Sequence, residues 1–457
     1  MSTAKNKTET KNFYRTLLVI VLPMTLQNLI SAAVNSADVI MLGYVGQTAI
    51  AAASLANQIQ FVLFLFYTGL SSGIMVMAAQ YWGKKDSRAI MILLGMGLKL
   101  SLAVSFLFGL AAILAPQGLM RIFTNDTELI ETGAVYLRVI GWSYFFMGIS
   151  QVYECIIKSI ERVKTATAIA GTTLCINILL NATFIFGLFG APRLGILGVA
   201  IATLIARIVE VVICVADAVR QKGIVIDGRI LTAWSAPLFT DFCKYSLPAL
   251  GNEFLWGAGF SAYSIVLGHL GSDIVAANSV VSAARNLCTV FVFGVAYGAA
   301  IILGKEIGEG KLEQVKQDAR RILWIVVWSS LAAGLVLIAI RPLIFSFTSL
   351  SETAYGYLSV MLYVNCPYIL GMGLNTVMIA GLFRAGGDAR FGLILDTIAM
   401  WVVFVPLAFL CGFVFKLPPL LVYIIICSDE FFKLPFNFFH YKKRNWVKNI
   451  TREDAEL

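Results

Sequence analysis

The sequence predicts an all-α polytopic membrane protein with twelve transmembrane helices, arranged in two six-helix lobes related by a pseudo-two-fold axis along the membrane normal. Three observations predict this fold: a series of long apolar segments, a one-sided distribution of basic residues, and an internal repeat. Of the 457 residues, 59% are hydrophobic and only 13% are charged, whereas an average soluble domain is about 25% charged. The composition is therefore that of an integral membrane protein.

Twelve apolar segments divide the chain, and each has roughly the 17–25 residues, or somewhat more, that a helix needs to cross a bilayer. Span 1 is too long for the apolar core of a signal peptide and lacks a convincing cleavage site, so we expect it to remain in the mature protein. Numbered 1 to 12, the spans cover residues 16–44, 50–82, 90–115, 132–157, 165–188, 194–219, 245–270, 274–303, 322–340, 357–383, 391–415 and 418–439.

Basic residues concentrate on one side of the membrane if the N-terminus is cytoplasmic and the spans alternate. Most of the 35 lysines and arginines then fall in inner segments and helix ends. This asymmetry follows the positive-inside rule and predicts a multi-pass protein of the cell inner (plasma) membrane with both termini cytoplasmic. Because topology explains the net charge of +9, we expect no nucleic-acid partner. The outer connections hold only four basic residues: Arg121, Arg193, Arg341 and Lys416.

The two halves of the chain repeat each other at an offset of 225 residues. Small residues set how closely membrane helices approach, so matched glycines suggest matched packing. Each repeat has six spans, an even number, so both halves insert in the same orientation. We predict an N-lobe at residues 1–219, a cytoplasmic linker at 220–244 and a C-lobe at 245–457. The matches pair Pro23 with Pro248, Gly43 with Gly268, Gly46 with Gly271, Gly73 with Gly298 and, with a drift of one residue, Pro116 with Pro342.

Four polar side chains of the N-lobe lie at similar depths in the outer half of the membrane. Asp38, the only charged residue of span 1, lies about 9 Å from the outer end of its helix. Asn181 and Asn177 share one face of span 5, about 10 and 17 Å deep, and Thr203 on span 6 is about 14 Å deep. These oxygen ligands suit a hard cation or a proton, and intramembrane acids mark ion pathways. The alternatives are an ion pair between Asp38 and Arg138 and, for the asparagines, hydrogen bonding between helices.

The C-lobe carries a different set of intramembrane charges. Glu253 on span 7 corresponds to Asn28 in the repeat, and Arg285 on span 8 is its expected partner. Asp396 and Lys433 both lie about 8–9 Å from the inner face, where we expect them to form a structural pair. Glu253 and Asp396 are also candidates for contact with a substrate.

The remaining polar residues of the spans do not suggest catalysis. Arg207 and Glu210, three residues apart on span 6, should pair with each other. All eight cysteines fall in or near spans without a CxxC pair and are expected to be buried thiols. His269 and His440 lie at span ends, so no His/Cys metal cluster is evident. We therefore predict no catalytic residues, no enzymatic activity and no cofactor.

An ordered series of segments resembles the multidrug and toxic compound extrusion (MATE) family over essentially the whole chain. The resemblance implies a V-shaped bacterial transporter that exports organic cations and other amphipathic drugs in antiport with H⁺ or Na⁺. We expect the protein to be a monomer. The segments are LPMTLQNLISAAVNSADVIMLGYVG, AIAAASLANQI, LGILGVAIAT, LGHLGSDIVAANSV, GKEIGEGK and FRAGGDARFGLILDTIAMW.

The resemblance also assigns roles by position. Asp38 matches the family's cation-coupling acid, and Asn177, Asn181 and Thr203 match its polar partners, which would be metal ligands if Na⁺ is the coupling ion. Glu253 matches an acid implicated in some members. Some DinF-like members have aspartate where this chain has Asn181, and the NorM-like branch has a span-10 aspartate that the stretch LGMGLNTVMIAG lacks. The resemblance therefore favours the DinF-like branch.

Three other functions are alternatives to antiport. A lipid-linked precursor flippase of the same superfamily would need a strongly cationic cleft to bind pyrophosphate. This chain has few intramembrane lysines and arginines. A membrane-embedded enzyme would need a His/Asp/Glu constellation, and neither histidine lies deep in a span. A passive channel is disfavoured because no pore motif is visible and the repeat suggests alternating access.

Overall fold

The computed structural model describes residues 2–220, 234–348 and 350–453, and its regular secondary structure in these ranges is helical. The first half contains α1 (Ser2–Gly43), α2 (Gln47–Lys84), α3 (Ser87–Leu114), α4 (Pro116–Arg121), α5 (Thr127–Ser159), α6 (Val163–Phe186) and α7 (Ile196–Arg220). The second contains α8 (Ala236–His269), α9 (Ser272–Gly308), α10 (Leu312–Ala339), α11 (Arg341–Phe347), α12 (Glu352–Thr376), α13 (Ala389–Asp396), α14 (Val405–Phe409), α15 (Pro419–Cys427) and α16 (Asp429–Lys443).

Nine helical stretches in the described part of the chain are long and apolar enough to span a membrane. They lie in α1, α2, α3, α6, α7, α9 and α10, and in the stretches Glu352–Phe383 and Ala389–Val414. The other three predicted spans are also helical, in α5, in α8 and across α15 and α16, without meeting the same combination of length and apolarity. The structure is thus that of a multi-pass helical membrane protein.

The repeat seen in the sequence has a counterpart in the lengths of the helices. Helices α2 and α9 have 38 and 37 residues, and α3 and α10 both have 28. A short helix with proline in its first turn follows in each half, at Pro116 in α4 and Pro342 in α11. Proline suits this position because the first turn of a helix has no intrahelical use for its N–H.

The turns between the first two helices of each half share an unusual backbone conformation. Gly46 has φ 140° and ψ 164°, and Gly271, its counterpart in the repeat, has φ 129° and ψ 159°. This region of backbone space is accessible almost only to glycine. The two matched glycines therefore produce the same turn at the same place in each half.

Helices of the second half depart from regular α geometry at three places. Segments of π-helix follow α12, α13 and α14, at Val377–Phe383, Thr397–Phe404 and Leu410–Val414. Such segments are rare and often occur at functional sites. One of them begins directly after Asp396, a predicted C-lobe site residue.

The chain forms two compact units, each with its own apolar core. One unit comprises Met1–Thr25 and Lys244–Thr451, and the other comprises Leu26–Cys243 and Arg452–Leu457. The core of the first includes the fully buried Leu337, Leu358 and Met361, and that of the second includes Leu63, Leu137 and Ala200. The candidate site residues lie on helices that pack around these two cores.

Candidate functional site

Asp38 begins a chain of hydrogen bonds that joins three helices of the second unit. Its Oδ1 accepts a 2.7 Å hydrogen bond from Nδ2 of Asn181 on α6. The same amide nitrogen donates to Oδ1 of Asn177 at 3.3 Å, and Nδ2 of Asn177 donates to Oγ1 of Thr203 on α7 at 3.2 Å. The structure therefore brings together all four residues that the sequence placed in one layer.

Helix geometry and burial explain why these contacts form. Asn177 and Asn181 are one turn apart, so both side chains leave the same face of α6. Asn181 is 0% exposed, and both hydrogens of its amide are used by Asp38 and Asn177. Its own Oδ1 meets no donor among the described residues. A buried acceptor without a donor is costly, which leaves this oxygen available to a cation or a protonated group.

The donor set around Asp38 fits either a proton or an alkali cation. A carboxylate, amide oxygens and a hydroxyl are the hard oxygen ligands that an alkali cation prefers, and the carboxylate alone can hold a proton. No group of three His, Cys, Asp or Glu residues in the described ranges is placed to hold a metal ion. A Na⁺ ion here would therefore depend on Asp38, Asn177, Asn181 and Thr203 together.

The alternative of an ion pair between Asp38 and Arg138 is not what the structure shows. The polar partner of Asp38 is Asn181, and within the described residues no ion pair joins it to Arg138. The sequence analysis missed a second neighbour of Asp38, Tyr136 on α5. Tyr136 is buried, its hydroxyl donates to Asn57 Oδ1 at 3.2 Å, and it lies close enough to Asp38 to interact electrostatically with its carboxylate. Tyr136 is about 6 Å deep in span 4, so the same depth argument could have included it.

A second polar layer of this unit is balanced in charge. Glu154 on α5 pairs with Lys158 at 3.0 Å and accepts a hydrogen bond from Gln27 on α1 at 3.4 Å. Arg207 pairs with Glu210 at 2.7 Å, which confirms the predicted pair on α7. Glu154 and Glu210 each have a basic partner, whereas Asp38 accepts a hydrogen bond from the Asn181 amide and has no basic partner among the described residues. The two layers therefore differ in whether a further positive charge could be accommodated.

In the first unit, Glu253 pairs with Arg384 and not with Arg285 as predicted. Arg384 Nη1 lies 3.0 Å from Glu253 Oε1, and its Nη2 donates to Asn252 Oδ1 at 2.8 Å. Arg285 instead donates to Asn365 Oδ1 at 3.0 Å. The prediction failed because Arg384 lies one residue beyond the end of span 10 and was not counted among the intramembrane charges.

The predicted pair between Asp396 and Lys433 is confirmed, at 3.4 Å, but it is part of a larger cluster. Lys433 is also 2.9 Å from Glu430 and 3.9 Å from Asp429, so one ammonium faces three carboxylates. All four side chains are buried. Asn252 donates to Asp396 Oδ2 at 2.7 Å and so links this cluster to the pair formed by Arg384 and Glu253.

A cavity of about 90 Å³ lies beside this cluster, within the first unit. Asp429, Arg285 and three tyrosines contribute to its lining. Sites for drug-sized ligands are roughly 300–1,000 Å³, whereas a few water molecules need only tens of Å³. In this conformation the cavity is therefore of a size for water or a small ion. The three tyrosines are Tyr263, Tyr368 and Tyr423.

Comparison with known proteins relates this fold to a transporter family. The family model MatE matches residues 23–183 and again residues 248–410. The two matches begin at Pro23 and Pro248, the pair with which the internal repeat begins. Asp38, Asn177 and Asn181 fall in the first match, whereas Thr203 lies outside both. Glu253 and Asp396 fall in the second.

Individual proteins resemble the chain over most of its length. The uncharacterized transporter YisQ of Bacillus subtilis (strain 168) is 23% identical over 98% of both chains. The probable multidrug resistance protein NorM of Rhizobium meliloti (strain 1021) is 25% identical over 89% of this chain and 87% of its own.

The fold is also found among solved structures. An outward-facing conformation of a multidrug resistance MATE family transporter of the MOP superfamily superimposes with a TM-score of 0.85 and 21% identity, over 94% of this chain and 95% of that one. The family model covers well over half of the chain, in two matches that follow its internal repeat. The chain therefore belongs to the MatE family, whose members are membrane transporters and not enzymes.

Proposed function

We propose that this protein is a secondary active multidrug antiporter that exports organic cations and other amphipathic drugs in exchange for H⁺ or Na⁺. Asp38 is the coupling acid in this proposal, and Asn177, Asn181 and Thr203 are its polar partners. The observation that carries the proposal is the hydrogen-bonded chain from Asp38 to Thr203, in which one intramembrane carboxylate accepts from the Asn181 amide and has no basic partner in the described residues. Relatives named probable multidrug resistance proteins support the substrate class.

The proposal includes a topology that the sequence predicts. Twelve spans form two lobes, at residues 1–219 and 245–457, joined by a cytoplasmic linker at 220–244. Both termini lie in the cytoplasm, and the protein acts as a monomer in the inner membrane. The absence of an acid in the stretch LGMGLNTVMIAG favours the DinF-like branch. Support for the orientation comes from the distribution of basic residues.

Coupling follows from the charge of Asp38. When the carboxylate is ionised, its hydrogen bond to Asn181 is charge-assisted and stronger than a neutral one. A proton or Na⁺ taken from outside would neutralise the acid, weaken that bond and change how α1 packs against α6. Substrate affinity should then depend on whether Asp38 is occupied, and coupling between two ligands is reciprocal. Release of the ion on the inner side would restore the drug-binding state.

Glu253 and Asp396 are the proposed substrate contacts of the C-lobe. Glu253 is the more exposed of the two, and its pairing with Arg384 leaves part of the carboxylate accessible. Asp396 is buried against Lys433 and Asn252. We therefore expect Glu253 to contribute more to the binding of a cationic drug than Asp396.

The test is transport in proteoliposomes loaded with a fluorescent organic cation, with a pH gradient and a Na⁺ gradient imposed separately. The variants are wild type, Asp38→Asn, and Glu131→Gln as a matched control, since Glu131 is an exposed acid at the start of α5. We expect one gradient to drive efflux by wild type and the control, and Asp38→Asn to fall to the rate of empty liposomes. The gradient that works identifies the coupling ion.

Two results would contradict the proposal. Efflux at the wild-type rate by Asp38→Asn would show that Asp38 is not the coupling acid, although the protein could still be an antiporter. Absence of gradient-driven efflux by wild type, with the protein folded and inserted, would refute antiport of organic cations. Translocation of a fluorescent lipid-linked pyrophosphate under the same conditions would favour the flippase.

A further inference from the structure

Two buried carboxyl groups that the transport proposal does not use face each other at the junction of α9 and α10. Glu306 lies in the last turn of α9 and is 7% exposed, and Asp318 lies in α10 and is 0% exposed. The two groups are close enough to form a hydrogen bond with each other. Both belong to the same compact unit of the chain.

Each acid has a partner on only one of its two oxygens. Oε1 of Glu306 accepts from Gln314 Nε2 at 3.3 Å, and Oδ1 of Asp318 is 2.5 Å from Arg321 Nη1. The second oxygens, Oε2 of Glu306 and Oδ2 of Asp318, are buried and meet no donor in the part of the chain that the structure describes. Two acceptor-only groups in contact cannot bond to each other, because neither has a hydrogen to donate.

One shared proton would satisfy both of the oxygens that lack a donor. A protonated carboxyl group has an O–H donor, so the acid that carries the proton can donate to the free oxygen of the other. The charge of the pair then falls from two to one, and a buried like-charge repulsion is removed. From this geometry we infer that Glu306 and Asp318 form a proton-binding site that holds one proton between them when the protein is folded.

Neighbouring charges do not supply the missing donor. Arg321 is engaged with Asp318 Oδ1 and also donates to Thr10 of α1 at 2.7 Å. Lys311 is paired with Glu309 at 2.6 Å in the turn between the helices. Glu309 adds a further negative charge near the pair, and Lys311 a positive one. Arg321 connects α10 to α1, so the charge state of the pair bears on three helices.

The proton bound by Glu306 and Asp318 therefore stabilises the contact between α9 and α10. This site does not involve Asp38, and it does not depend on whether the protein is an antiporter. The folded protein holds a proton that the unfolded chain would release once its carboxyl groups ionise. Its stabilising effect is present at low pH, where the shared proton is bound, and is lost as the pH rises and that proton is released. Under the proposed topology, this end of the helices faces the cytoplasm.

Glu306→Gln tests the inference because an amide can donate to Asp318 Oδ2 as a proton on Glu306 would. The measurement is the melting temperature of the purified full-length protein from mildly acidic to mildly alkaline pH. The melting temperature of wild type should fall as the pH rises. That of Glu306→Gln should depend much less on pH, and at alkaline pH it should exceed that of wild type. Glu313→Gln is the control: this acid lies in the first turn of α10, is 82% exposed, and should keep the wild-type slope.

Infrared spectroscopy gives a second readout that does not depend on stability. The difference spectrum of wild type against Glu306→Gln should contain a carbonyl band of a protonated carboxyl group that shifts in heavy water and disappears at alkaline pH. If Glu306→Gln does not fold, Asp318→Asn takes its place in the same measurement. Equal melting slopes in wild type and Glu306→Gln, or a difference spectrum without that band, would overturn the inference.

Discussion

Replacing Lys433 by methionine tests whether the buried cluster of the first unit depends on one positive charge. Methionine keeps much of the length of the side chain and removes the ammonium, which lies 2.9 Å from Glu430, 3.4 Å from Asp396 and 3.9 Å from Asp429. Each attraction is about 4–6 kcal/mol at an effective dielectric constant of about 20, before desolvation and repulsion among the carboxylates are subtracted. Removing one partner of a buried pair costs about 3–5 kcal/mol.

We expect Lys433→Met to lower the free energy of unfolding by an amount near the top of that range, because three carboxylates lose their counter-charge together. Asp429→Asn is the matched variant. Asp429 is the most distant of the three from Lys433, and its other contact is a 3.4 Å hydrogen bond from the Tyr263 hydroxyl, which an asparagine oxygen can also accept. Since it removes one of the excess negative charges, Asp429→Asn should change stability by less than about 1 kcal/mol.

The assay is unfolding of the purified protein in mixed micelles titrated with denaturing detergent, followed by loss of helical circular dichroism. The deficit of Lys433→Met should shrink at acidic pH, where the carboxylates can take up protons. Combining it with Asp429→Asn should recover part of the loss, because residues in one charged cluster are coupled. A Lys433→Met protein as stable as wild type, or an Asp429→Asn protein that loses as much as Lys433→Met, would refute the charge argument.

Two further predictions concern the turn and the second ion pair of the same unit. Gly271→Ala should cost about 1–3 kcal/mol, because its backbone conformation is almost exclusive to glycine; Gly268→Ala, three residues earlier and with equal space around it, should cost nothing. Equal thermal stability of these two variants would contradict this. Arg384→Met should cost about 3 kcal/mol by leaving Glu253 half-buried without its partner, and Glu253→Gln should cost less because the amide oxygen still accepts from Arg384. The same denaturation assay checks both, and a larger loss in Glu253→Gln would contradict the second.

The sequence was sufficient to find the layer around Asp38 because that layer depends on quantities that sequence contains. Rise per residue converts position in a span to depth, and a spacing of four places two side chains on one face. Asn177 and Asn181 satisfy both conditions, and the structure joins them to Asp38 and Thr203. The repeat was equally accessible, since it is carried by residues matched at an almost constant offset.

The partner of Glu253 could not be predicted in this way. Depth assigns a residue to a layer, but it does not say which way around the helix axis a side chain points or which helices are neighbours. Glu253 lies about 12 Å from the inner end of span 7, Arg285 about 27 Å from that of span 8, and Arg384 just beyond that of span 10. Depth therefore selects neither arginine, and only packing decides that Arg384 reaches Glu253. The π-helical segments and the division of α1 between the two compact units, at Thr25 and Leu26, likewise have no signal in composition or periodicity.

Matched positions of the repeat show where the two halves differ in charge. Position 38 of the first half corresponds to position 263 of the second, so Asp38 is matched by Tyr263. In the first case a carboxylate accepts from an amide of another helix, and in the second a hydroxyl donates to Asp429 on α16. The same helix position thus takes part in a carboxylate hydrogen bond in both halves, with donor and acceptor exchanged.

The exchange of donor and acceptor between positions 38 and 263 bears on where the proposed coupling ion could bind. Asp429 already lies near Lys433, so an added cation there would compete with an ammonium for the same carboxylates. Asp38 accepts from the Asn181 amide and has no basic partner in the described residues, so one proton or one Na⁺ would bring it to neutrality without breaking an ion pair. A charged side chain within the membrane has a high free-energy cost, so a conformational change that moves the site costs less when the site is neutral. The charge balance of the two halves therefore supports the proposal that Asp38 is the coupling acid.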